Sequence, residues 1–207
     1  MRQLNKRIAL ILALILVAFL QCPIVTADLE IRNANPLGEN IICFGDSLTY
    51  GTGAARDKSY PARLSEMIGQ PIINAGIPGN TTADGLERLE TDVLERSPRI
   101  VLITLGGNDL KNGVRKDVAY KNLKAIIEAI QAEGGLVILG GIKFIILDKG
   151  YGEMYKKLAK ETDIILIQNV LSGLVGKDKY MSDPIHPNAA GYEIMAKRFH
   201  EAIEPYL

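Results

Sequence analysis

Ile41-Ile42-Cys43-Phe44-Gly45-Asp46-Ser47-Leu48-Thr49-Tyr50-Gly51 is the stretch that decides how this chain is read. Four apolar residues, Ile41 to Phe44, stop at Gly45, and an acid and a hydroxyl follow at once. A short apolar run closed by a turn signal reads as a strand buried on both faces. Open α/β sheets bind ligands beyond the carboxyl ends of their strands. If Ile41–Phe44 is the first strand, Ser47 lies at that edge.

The pattern repeats downstream. Pro61 opens a helical stripe with Leu64, Met67 and Ile68, stopped by Gly69 and Pro71. Ile72–Ala75 reads as a strand running into the turn Gly76-Ile77-Pro78-Gly79. Thr81 with Asp84 has capping-box spacing, and Leu86, Leu89, Val93 and Leu94 predict one helix ending near Pro98. Ile100–Leu105 is a third strand, running into Gly106-Gly107-Asn108-Asp109, and Leu123, Ile126, Ile127 and Ile130 mark a helix closed by Gly134-Gly135. Leu136–Leu139 and Ile164–Ile167 complete five strands, with a helix around Met154–Lys160 between them and a last helix carrying Tyr192, Met195, Ala196, Phe199 and Ile203. Strands alternating with helices predict one α/β domain over residues 41–207 with a parallel sheet. Right-handed crossovers bring the strand-to-helix loops to one edge.

The N-terminus reads differently. Arg2, Lys6 and Arg7 precede the apolar run Ile8–Leu20, and Val25-Thr26-Ala27 supplies small residues for cleavage. This is a secretory leader over residues 1–27, followed by a polar tether over 28–40. The run is short of the ~20 apolar residues of a membrane span, and stretching it to Val25 gives the alternative of an uncleaved anchor. Gln21 is bulky where a lipid-attachment signal before Cys22 would carry a small residue. Cleavage would leave 21 basic and 24 acidic residues, a mildly acidic protein with no nucleic-acid footprint. It would also leave Cys43 as the sole cysteine, read as a small buried hydrophobe.

A serine nucleophile needs a base, a group that orients the base, and donors for the developing oxyanion. The chain has two histidines. His200 falls in the last helix beside its apolar stripe. His186 lies in Ser182-Asp183-Pro184-Ile185-His186-Pro187-Asn188, where two prolines prevent an ordinary helix interior. Asp183 stands three residues before His186, so one turn can bring its carboxylate to the imidazole. The same residues could form a proline-rich turn with Asp183 as a helix cap, and Ser47 could cap a helix. Taken singly, Gly79 is a turn residue and Asn108 suits a left-handed position. Asp46 and Asp109 read as braces of their turns.

Together, Gly45-Asp46-Ser47-Leu48, Gly79 in Pro-Gly-Asn-Thr, Gly107-Asn108-Asp109 and Asp183-x-x-His186 resemble the four sequence blocks of the SGNH (GDSL) hydrolase superfamily. The phrases Gly-Asp-Ser-Leu-Thr-Tyr-Gly, Asn-Ala-Gly-Ile-Pro-Gly-Asn-Thr and Leu-Gly-Gly-Asn-Asp are most like small exported bacterial arylesterases and multifunctional thioesterase/lysophospholipases. The resemblance implies a three-layer α/β/α, flavodoxin-like fold with five parallel strands. It implies that Ser47 attacks an ester carbonyl with His186 as base and Asp183 behind it. It implies an oxyanion hole from the N–H groups of Ser47 and Gly79 and the amide of Asn108. No cofactor or metal is expected, since the sequence has no Walker pattern and no Cys/His metal spacing. Gly140-Gly141-Ile142 departs from the family, whose members often carry a proline there.

The implied substrates are small esters, thioesters or lysolipids. Membrane contact would come only through a retained leader, and a monomer is the expected state. The loop Gly140–Gly150 holds Ile142, Phe144, Ile145, Ile146 and Leu147, more apolar area than surface loops usually carry. It either tucks into the core or lines an acyl groove, with Phe144 and Ile145 as the contacts. Two other readings compete: a flavodoxin-like module binding phosphate or flavin at the Gly45–Gly53 loop, and an inactive relative held at the membrane by its leader.

Overall fold

The computed structural model describes residues 30–143 and 150–207. The leader and the proposed acyl contacts Phe144 and Ile145 lie outside the described residues. No described helix is long and apolar enough to cross a membrane.

The strands are β1 (Asn40–Gly45), β2 (Ile72–Gly76), β3 (Pro98–Thr104), β4 (Leu136–Gly140) and β5 (Ile165–Ile167). They form one parallel sheet in the order β2-β1-β3-β4-β5. This is the flavodoxin-like order, and its topological switch lies between β1 and β3. Between the strands run α1 (Ser47–Tyr50), α2 (Tyr60–Ile68), α3 (Thr82–Glu87), α4 (Leu89–Asp92), α5 (Gly107–Lys111), α6 (Lys116–Ala132) and α7 (Tyr151–Thr162), and α8 (Ala189–Ile203) closes the domain.

Both sheet faces are dry, which explains the continuous apolar runs. Ile42, Phe44, Val101, Ile103, Val137 and Leu139 pack under Leu123, Ile126 and Ile130 of α6 and Tyr155 and Leu158 of α7. The alternate residues, Ile41, Cys43, Ile100, Leu102, Leu136 and Ile138, face Tyr60 and Leu64 of α2 and Tyr192, Met195 and Phe199 of α8. The rings of Tyr60 and Phe199 stack at 4.8 Å between those two helices. Each buried Val, Leu or Ile contributes ~1.5–3 kcal/mol over its exposed state. Burial explains Cys43 too: it is fully inside the sheet and unpaired, and desolvation drives its thiol pKa far up.

Three details differ from the sequence reading. The single helix expected from Leu86 to Leu94 is broken into α3, α4 and a 3-10 turn over Leu94–Arg96, with the first break at Arg88. A short helix, α5, also follows β3 directly, placing Asn108 and Asp109 in its first turn. Of the residues read as a tether, 31–40 belong to the domain: Asn33 Nδ2 donates to the carbonyls of Gln131 and Gly135, and Ile31 packs against the α2/α8 side of the core. Gly140-Gly141 also has a physical reason. The Gly141 N–H donates to Ile167 O at 2.8 Å, a bond that proline could not make. Ile142, the first apolar residue of that loop, is buried in the core.

Candidate active site

Asp46, between β1 and α1, makes the turn that presents Ser47. Its Oδ1 accepts the Leu48 N–H at 2.9 Å, capping α1. Ser47 is therefore the first residue of a helix, where N–H groups have no partner within the helix. Behind it the Thr49 hydroxyl is hydrogen-bonded to the hydroxyls of Thr104 and Tyr60, all buried, which ties α1 to β3 and α2.

His186 comes to Ser47 from 139 positions away, with Nε2 at 3.0 Å from Oγ. Its Nδ1 is 2.7 Å from Asp183 Oδ2. The carboxylate can only accept there, so the partners assign the proton to Nδ1 and leave Nε2 to accept from the serine. The other oxygen, Asp183 Oδ1, accepts the N–H groups of Ile185 and His186, each at 2.8 Å. Asp183 thus shapes the turn and orients the ring at once. Desolvation pulls its pKa upward, but the His186 ring, the two N–H groups and the imidazole charge together outweigh it, and the carboxyl sits at about 2.

The histidine loop is pinned by its neighbours. Met181 and Pro187 form an antiparallel bridge, and Ser182 N–H donates to His186 O at 2.9 Å. Gly53 lets this loop close on α1. At φ +95°, a Cβ there would meet Pro187 O at 2.7 Å and Ser182 Cβ at 2.9 Å. Tyr192 of α8 adds a tie, its hydroxyl donating to Thr52 O at 2.7 Å.

Gly79 stands on the loop after β2 and Asn108 in the first turn of α5 after β3, on either side of β1. Asn80 N–H donates to Ile77 O, closing a turn with Pro78 first and Gly79 second, the latter at φ +87°. That is the type II pattern, which requires glycine at its third residue. The space where a Cβ would stand is open, leaving the peptide accessible. Asn108 Nδ2 donates to Asn80 O at 2.9 Å, while its contact to Asp46 Oδ2 is long, at 3.4 Å. One N–H therefore fixes the amide, and the second is weakly held, able to turn to a substrate oxygen.

Asp46 braces its own turn, as expected, whereas the Asp109 carboxylate bonds across to a different segment. Asp109 is buried and accepts both the N–H (2.8 Å) and the hydroxyl (2.6 Å) of Thr82, joining α5 to α3. Burial first, with the Asp109 charge adding to it against the Leu48 N–H bond, pushes Asp46 up to about 7. His200 sits half-buried in α8. Asn80 and Arg88 carry no local signal in the sequence: Asn80 is the polar residue after Gly79 in a turn, and Arg88 sits between the apolar stripe positions Leu86 and Leu89.

The model of the GDSL-like lipase/acylhydrolase family matches residues 43–194, most of the chain. The chain belongs to this family. As a GDSL hydrolase it is 29% identical over 178 residues to the thioesterase 1/protease 1/lysophospholipase L1 of Escherichia coli K12, covering 81% of this chain and 84% of the relative. It is 32% identical to an arylesterase of Vibrio mimicus over 168 residues, 74% of this chain and 82% of the relative. The crystal structure of TesA superposes with a TM-score of 0.77 at 27% identity, over 82% of this chain and 100% of that one. A GDSL acylhydrolase cleaves esters with a serine, so the phosphate- or flavin-binding reading is set aside.

Proposed function

We propose that this ester hydrolase works through Ser47, His186 and Asp183, with Ser47 N–H, Gly79 N–H and Asn108 Nδ2 as the oxyanion donors. The observation that carries this reading is the unbroken relay from Asp183 Oδ2 through the imidazole to Ser47 Oγ, at 2.7 Å and 3.0 Å. Ser47 Oγ attacks the carbonyl carbon as its proton passes to His186 Nε2. The carbonyl oxygen gains charge and is met by the three donors, which strengthen only as that charge grows. The intermediate collapses, His186 gives its proton to the leaving alcohol or thiol, and an acyl group remains on Ser47. Water, deprotonated by His186, then releases the carboxylic acid and restores the hydroxyl.

The substrates we assign are carboxylic esters and acyl thioesters, including aryl esters and lysophospholipids, the chemistry named in the relatives. We assign acyl preference to the loop after β4, through Phe144 and Ile145. Each methylene buried there contributes ~0.8 kcal/mol, nearly fourfold per carbon. The test is a panel of nitrophenyl esters from acetyl to octanoyl, with a thioester and a lysophospholipid beside it. Phe144→Ala and Ile145→Ala should lose octanoyl turnover selectively at an unchanged melting temperature. Equal loss on acetyl and octanoyl esters, with a lowered melting temperature, would make both residues core and the groove wrong.

For location we propose export, to the periplasm or the medium, with residues 1–27 removed. The basic start, the short apolar run and Val25-Thr26-Ala27 support it. Intact-mass analysis of protein from native cells is expected to show an N-terminus near Asp28. A full-length species extracted only with membranes would establish the anchor instead.

A further inference from the structure

We propose that Arg88 is a positioning residue of the oxyanion hole, acting through Asn80 on the amide of Asn108. The inference rests on the donor assignment above. An arginine carries five N–H donors in one rigid plane. Here three directions of that plane are taken. Nε donates to Asn80 Oδ1 at 2.7 Å, one terminal nitrogen to Gly45 O at 2.8 Å, and the other to Asp92 Oδ2 at 2.7 Å. The guanidinium lies over the Phe44 ring, its carbon 4.3 Å from the centroid, and the side chain is 14% exposed.

The chain positions of these acceptors give the clamp its meaning. Gly45 ends β1 and immediately precedes Asp46 and Ser47. Asn80 follows Gly79, and its own carbonyl receives Asn108 Nδ2. One planar cation thus holds the Gly45 carbonyl, two residues before Ser47, and the Asn80 side chain, next to Gly79, and so orients the residue whose carbonyl aims Asn108. Gly45 O also accepts the Ile77 N–H, so the ends of β1 and β2 meet at the atom that Arg88 grips. Asp92 supplies the opposite charge, which Arg96 shares at 3.1 Å. The helix break at Arg88 lies where this side chain turns to the sheet edge, so a stretch patterned for one helix is cut where the clamp is needed.

A mispositioned donor weakens the transition state more than substrate binding, so the expected signature is in kcat. Arg88→Lys keeps the charge but cannot span three in-plane acceptors. It is expected to lower kcat on a nitrophenyl ester about 10- to 100-fold, with KM within about twofold. Asn80→Ala removes the link while leaving Arg88 and the fold, and is expected to reproduce most of that loss. In the Asn108→Ala background, itself slowed about 10²–10³-fold, Arg88→Lys is expected to lower kcat only a few-fold further, because the amide it positions is gone. Equal fold-losses in both backgrounds, a loss confined to KM, or wild-type kcat in both Arg88→Lys and Asn80→Ala would overturn the proposal. Wild-type turnover in Asn108→Ala would overturn the oxyanion assignment and this inference with it. A slow Asn108→Ala beside a fast Arg88→Lys would overturn the inference alone.

Discussion

Ser47→Ala is expected to lower ester turnover by about 10⁶-fold, because nucleophile and base work as one unit and losing either loses most of what both supply. The fold should survive. The Ser47 hydroxyl makes its hydrogen bond to His186 Nε2, whereas the local structure rests on backbone groups. Ser47 O accepts the N–H groups of Gly51 and Thr52, each at 3.0 Å, and the Asp46 cap on Leu48 is untouched. A change of no more than about 1 kcal/mol in stability follows. The measurement is turnover of a nitrophenyl ester, with the melting temperature and labelling by a phosphonate. The wild type should carry the label on Ser47 and the variant should carry none. Undiminished turnover in the variant, or label on Cys43, would end the mechanism. Cys43 is fully buried and its thiol pKa is driven far up, so it offers neither access nor thiolate.

Asp183→Asn is expected to lower kcat by about 10³–10⁴-fold, and tautomer control is the main reason. In the wild type Oδ1 accepts two N–H groups and Oδ2 accepts from Nδ1. An asparagine keeping its oxygen on the backbone N–H groups presents its NH2 to Nδ1. The ring must then carry its proton on Nε2, facing Ser47, and it can no longer accept the serine proton. The Asp183 side chain is 44% exposed, so solvent screens the charge part of the effect and the tautomer part dominates. KM should change little, since the group touches no substrate. The pH dependence follows from the same bonds. The folded carboxyl, at about 2, lies below its ordinary 3.8, so the support it gives is present above the latter and is lost as pH falls through the former. Turnover within tenfold of wild type would show that His186 is oriented by something other than Asp183.

The sheet was legible in the sequence because burial on both faces demands unbroken apolar runs, and Ile41–Phe44, Ile100–Leu105 and Leu136–Leu139 have no other use. The residues of the proposed site were legible as short blocks because each sits where a strand ends or in the proline-stiffened loop. Glycine at 79 was readable for a local reason: a turn whose third residue needs positive φ. The Thr81/Asp84 capping box is local in the same way and forms as read.

What the sequence could not carry is any contact set by three-dimensional neighbours. The break at Arg88 is invisible in the apolar stripe, because its acceptors are Gly45, 43 positions upstream, and Asn80, eight upstream. The bond from Asn108 to the Asn80 carbonyl depends on β2 and β3 lying on either side of β1, a matter of strand order that no local pattern encodes. Gly53 is only the end of a glycine-rich loop in the sequence, and the packed structure shows that Pro187, Ser182 and His186 occupy the space a side chain would fill. The sequence by itself determined the layers, the sheet and the candidates for the reacting groups, since period, capping and turn geometry act within a few residues. The tertiary structure alone decided the 3.0 Å approach of His186 to Ser47 and the clamp that aims Asn108, because those distances are set by packing between segments far apart in the chain.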